Sequence, residues 1–189
     1  MGHSLRHWLI IEGDRIGEWG TCRGTCNSSE GVSVDTRTRL DSISSDLAEL
    51  FRHSSELRQR WAVLAACVLA VAQSGLESDD LDVAFEFLRG GHGDKLAVRV
   101  KLRKLSEQLD EQYLNLYLAA EEEMTPGALS HFRRARAASA LSFGLSSSTD
   151  ELHESIYEAI VASETRAETL NAAELALKEQ PLNSRKEQP

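Results

Sequence analysis

The chain has little of what builds sheets, disulfide staples or membrane spans. Aromatic residues make up 6% of its 189 positions, and there are only three prolines and three cysteines. Alternating Val, Ile and Thr, the mark of a half-buried strand, is almost absent. The nearest case, 31–38, is too polar to carry a sheet, so helix is expected over strand. An odd number of cysteines makes no complete disulfide framework and fits a reducing cytoplasm, which is the expected location. No secretory leader is visible, since the run Trp8-Leu9-Ile10-Ile11 ends at Glu12. The longest apolar run, 61–72, is well short of the roughly 20 residues that a membrane span needs, so it is expected to be a fully buried helix segment at the bundle centre, and no membrane partner is expected. A formal net charge of −9 argues against general binding to nucleic acid, though it leaves room for a local basic patch.

What is present is a long amphipathic register. Leu40, Ile43, Leu47, Leu50, Leu57, Trp61, Leu64, Val68 and Val71 recur at steps of three and four, with Ser54 alone interrupting in the Leu50–Leu57 gap. That spacing is a heptad pattern and predicts a helix over 40–74, about 50 Å long at 1.5 Å per residue. Thr38 with Asp41 forms a capping-box start, and Gly75 followed by Leu76 forms a left-handed stop. The pair Ser54-Ser55 is the point at which the rod would kink or divide.

Four further helices are expected. Ser78 caps one over 79–89, with Leu81, Phe85 and Leu88 as its buried stripe. The next spans 94–123 with Val98, Leu102, Leu105, Leu109, Tyr113 and Leu116 on one face. Thr125-Pro126 opens an alanine-rich helix to 143. Ser148 with Glu151 opens the last, which runs to 178. Short connections between such helices predict an all-α fold: a bundle of four to five antiparallel helices around the long heptad-patterned one. Residues 1–36 lack any sustained period and are expected to be a flexible arm, with 37–180 as the bundle domain and 181–189 as a disordered tail.

No motif specifies a reaction, and an enzyme is the least favoured reading. The favoured one is a non-enzymatic helical interaction module (regulatory, adaptor or immunity-like). It would bind a protein partner or a second copy through Leu40, Ile43, Leu47 and Leu50, on the half of the long helix with apolar surface to spare. The alternative is a nucleic-acid- or nucleotide-responsive protein using His92, Lys95, Arg99, Arg103, Arg133, Arg134 and Arg136 as an anion-binding patch. The glycine-rich turn 90–93 precedes the helix that carries Lys95, but its spacing is not that of a phosphate-binding P-loop. The acidic start of the last helix offers those cations an intramolecular match instead. His3, His7, Cys22 and Cys26 have ligand types suited to tetrahedral zinc, without the flanking hydrophobic framework of a small zinc fold. No cofactor is expected. Cys67, beside the heptad seam, reads as a small buried apolar residue.

Overall fold

The structure, a computed structural model, describes residues 37–179. All of these belong to one compact unit, and among them the fold is entirely helical. The eight helices are α1 (Arg39–Ile43), α2 (Ser45–Arg52), α3 (Glu56–Ser74), α4 (Leu81–Leu88), α5 (Lys95–Ala119), α6 (Pro126–Gly144), α7 (Thr149–Ala162) and α8 (Arg166–Lys178). No helix among the described residues is long and apolar enough to cross a membrane.

The stretch expected as one rod is three helices. Ser44 takes an extended conformation, with φ −154° and ψ 102°, and its hydroxyl accepts from the Leu47 N–H at 3.2 Å. It therefore ends α1 and caps α2. The second break lies at His53–Ser55, where the Ser54 hydroxyl donates back to the Leu50 carbonyl at 2.7 Å and Ser55 becomes the cap of α3. Serine competes with the backbone for helical hydrogen bonds, which is why both breaks fall on serines. Because the chain turns at both points, Leu40, Leu47 and Phe51 face inward and are fully buried.

The predicted ends hold at most of the caps, though not at Ser78, where α4 starts two residues later than expected, at Leu81 after Asp80. The Thr38 N–H donates to Asp41 Oδ2 at 2.7 Å, Asp94 Oδ1 accepts from Ala97 at 3.0 Å, and Thr125 Oγ1 accepts from Ala128 at 3.1 Å. Gly75 takes the left-handed conformation, φ +64°, and closes α3 with Leu76 buried behind it. Where no cap was legible, the ends move. The helix expected to reach residue 123 stops at Ala119, because Glu121 and Glu122 themselves take positive φ. The last predicted helix is two: Ser163 leaves the helical conformation, and α8 starts again at Arg166.

α3 forms the middle of the domain and packs against α6, α7 and α8, while α6 lies between α5 and α7. Ala135, Ala137, Ala138 and Ala140 of α6 are all fully buried. With no side chain beyond Cβ, they let neighbouring helices come close. The approach is tightest at Gly144, where a Cβ would lie 2.8 Å from Val63 Cγ1 of α3 and 3.0 Å from Ser155 Oγ of α7. Cys67 is buried at the same seam with its Sγ 3.6 Å from Ser155 Oγ, and burial pushes its thiol up to about 12. It behaves as a core residue, not a nucleophile.

α1 is fastened to α7 by charge. Arg39 Nη1 lies 2.9 Å from Glu158 Oε1 and 3.2 Å from Glu154 Oε2, and its guanidinium covers the Tyr157 ring at 3.9 Å. Glu158 is almost wholly buried and also faces Arg136 of α6 at 3.4 Å. Beside it, His153 is buried edge-on to Phe51 of α2, with ring centroids 4.6 Å apart.

Candidate interaction surface

From Trp61 to Ala72, α3 has no polar residue on any side, yet one side stays open to solvent. Residues at steps of three and four fall on one helical stripe, and on α3 the outward stripe is Leu57, Trp61, Ala65, Val68 and Ala72. Leu57 is 54% exposed, and Trp61 and Val68 are each 41% exposed. Ala72 is exposed as well and Ala65 is half-buried. The expectation that 61–72 lies enclosed is therefore corrected: the side opposite Gln59, Ala66 and Ala70 faces solvent. A Trp in the middle of a continuous apolar stripe has a large surface to bury and one N–H to satisfy, the profile of an interface anchor.

The stripe has distinct margins. On one side Gln73 reaches α8, its Oε1 accepting from the Thr165 N–H at 3.0 Å and its Nε2 donating to Glu168 at 3.1 Å. On the other side Arg60 turns toward α5 and pairs with Glu56 at 2.9 Å. There it borders a cavity of about 250 Å³ shared with Lys95, Leu96, Arg99, Leu145, Ser146 and Ser147. Leu96, at 67%, is the most exposed large apolar side chain among the described residues. Apolar surface thus continues past Arg60 onto the start of α5.

The four residues expected to meet a partner sit elsewhere. Leu40 and Leu47 are fully buried, and Ile43 and Leu50 are partly buried against the same core. In this fold their heptad spacing serves the interior. The exposed apolar stripe belongs to the other half of the stretch, the half whose uniform hydrophobicity had suggested enclosure. One signal could have found it: Leu57, Trp61 and Val68 share a face, and the large indole among small neighbours is placed where a core would already be full.

The expected anion-binding residues divide. Lys95 and Arg99 are brought together at the cavity, but Arg99 pairs with Glu151 of α7, which also accepts from the Ser146 hydroxyl. Arg136 pairs with Asp110 of α5 as well as with Glu158, and Arg133 pairs with Glu164 at 2.5 Å. Arg134 is half-buried near Gly75, His92 is exposed, and Arg103 is exposed but near enough to Glu151 to add to the pull that holds its carboxyl below the usual range. The basic starts and acidic starts of these helices are matched within the molecule. Lys101 adds a further pair, to Asp80 at 2.8 Å.

His3, His7, Cys22 and Cys26 lie outside the described residues. Among the described residues no group of three or more His, Cys, Asp or Glu side chains is placed to hold a metal ion. His53 bonds its own helix, Nδ1 to the Glu49 carbonyl oxygen at 2.9 Å, and His153 is in the core.

Comparison with protein-family models, with curated proteins and with solved structures returns no match to this chain.

Proposed function

We propose that this protein is a non-enzymatic helical interaction module whose working surface is the outward stripe of α3. The observation that carries the reading is the exposure of Leu57, Trp61 and Val68 together on one face of the domain's central helix. A helix in that position normally spends its apolar residues on its neighbours. Leaving a stripe of four turns in water costs solubility and offers no stability in return, so the stripe is kept for what it binds. The heptad-patterned stretch thus remains the interaction element, through its second half.

The test is retention. Wild-type protein and the Trp61→Glu variant are immobilised side by side and exposed to soluble extract, and the retained proteins, further copies of the chain included, are identified. A protein held by the wild type and lost on Trp61→Glu supports the reading. Identical retention by both removes it.

A second reading attaches to the cavity. Arg60, Lys95 and Arg99 bring three cations to one space of about 250 Å³, which Ser146 and Ser147 also line. Glu56 is the more exposed member of the Arg60 pair, at 73% against 29%. A small phosphate-bearing ligand would suit this chemistry. Titration calorimetry with a nucleoside triphosphate at low salt tests it: heat that vanishes in Lys95→Ala supports the site, and no heat disposes of it.

A further inference from the structure

We propose that a second copy of this chain covers the stripe, with α3 lying antiparallel to α3 about a two-fold axis beside Ala65. This rests on the reading of the α3 stripe as the working surface, and it names the occupant.

The argument is self-complementarity. Along the stripe the bulkiest side chains, Leu57 and Trp61, come first; two alanines, Ala65 and Ala72, and the smaller Val68 come after. An isologous two-fold contact must fit its own surface turned end for end. Turned about Ala65, the stripe sets Trp61 of one copy over the turn between Val68 and Ala72 of the other, and Leu57 over Ala72. Each of the two bulkiest side chains meets a smaller one, and Ala65 meets Ala65 where the helices cross, allowing close approach. A parallel pairing would set Trp61 on Trp61 and leave only alanine against alanine at Ala65 and at Ala72.

Charge agrees with the same direction. Arg58 flanks the first turn of the stripe. The last turn ends in the carbonyl groups that Gly75 closes, followed by the exposed Glu77. An antiparallel pair brings each Arg58 beside the electronegative helix end of the other copy, whereas a parallel pair sets Arg58 beside Arg58. Leu96, across the cavity from Arg60, lies at the margin and widens the apolar contact. One helical stripe is a small interface, so the dimer is a reversible one.

The experiment uses the full chain. Sedimentation equilibrium between about 1 and about 300 µM, the range suited to a small interface, is expected to show the mass rising twofold, from one copy to two. Trp61→Glu and Val68→Glu, both at exposed positions, are each expected to remain at one copy with unchanged helical content. Direction is read by crosslinking in a background with Cys22→Ser and Cys26→Ser, the buried Cys67 being left in place. Ala65→Cys is expected to form a disulfide-linked dimer on mild oxidation, since its two copies meet at the axis. Leu57→Cys is expected not to, because the axis separates its copies by about 24 Å along the helix. A wild-type chain that stays monomeric throughout overturns the inference. So does a dimer that survives both glutamate variants, or one in which Leu57→Cys links more readily than Ala65→Cys. A dimer appearing only after removal of residues 1–36 overturns it too, and assigns the stripe to that segment of the chain. If the wild type is monomeric yet retains another protein that Trp61→Glu loses, this inference fails while the interaction reading stands. If nothing is retained either, both fail.

Discussion

Arg39 and Glu158 meet at 2.9 Å, and the two partners are not equally placed: the arginine side chain is 42% exposed, the carboxylate 2%. Burial pushes the Glu158 carboxyl above the usual range, against the pull of Arg136 and Arg39. The pair is therefore held from the α7 side. Replacing Glu158 with alanine leaves Arg136 its pair with Asp110 and Arg39 its pair with Glu154, so the loss is that of a buried acceptor for two guanidinium groups, about 2 kcal/mol. Arg39→Ala leaves Glu158 its second guanidinium and costs about 1 kcal/mol, because the arginine is half in water. Urea unfolding of the two variants checks the asymmetry.

Leu40 and Leu47 separate from Leu57 in a mutational comparison. The first two are fully buried, and truncation of either to alanine is expected to cost about 2–5 kcal/mol. Leu57→Ala changes stability by no more than about 0.5 kcal/mol. Equal effects at all three positions would show that the core is not bounded as described.

Gly144→Ala sets two effects against each other. Alanine gains about 1 kcal/mol of helix propensity. Its Cβ, however, would sit 2.8 Å from Val63 Cγ1, at a seam with no room to give. Overpacking of that kind costs about 1–3 kcal/mol. The expected net result is a loss of about 1 kcal/mol, read as a lower thermal midpoint, and Val63→Ala in the same chain should recover part of it.

His153 makes stability depend on pH in a definite direction. Burial lowers its basicity, and Arg52 adds to this while Asp41 and Asp150 oppose it. The folded state thus binds the proton less readily than the unfolded state, whose value is the ordinary 6.5. The His153 contribution is complete above that value and is lost as the pH falls below it. Glu158 works in the opposite sense, since its raised value favours proton uptake by the folded state. The informative measurement is therefore the difference between wild type and His153→Phe from pH 7.5 to 5. Wild type is expected to lose stability more steeply over that window.

Local signals in the sequence carried most of the fold. Thr38, Asp94 and Thr125 each present an oxygen to the first turn of a helix, and Gly75 supplies a conformation that other residues resist. Such choices are settled within four residues, so they are legible without knowledge of neighbours. Ser44 is different. Its hydroxyl could equally have faced solvent from within a continuous helix, and the register of apolar residues runs through it without a fault. Only the burial of Leu40, Leu47 and Phe51 on a common core decides for a break. Ser163 is a similar case: its hydroxyl, between the Ala159 carbonyl at 2.8 Å and Thr169 Oγ1 at 2.7 Å, becomes useful only once α8 has folded back. The α3 stripe was misjudged for the same reason. Hydrophobicity reports what a helix would bury, and not how many neighbours it has.

The alanine seam of α6 also has a consequence for motion. A helix that touches its neighbours through Cβ atoms has few rotamers to exchange and little free volume to breathe into. Its amide protons can reach solvent only when α5 or α7 lifts away as a body. In a hydrogen-exchange experiment the amides from Ala135 to Leu141 should be the last in the domain to exchange. The quietest part of this protein would then be its least bulky helix.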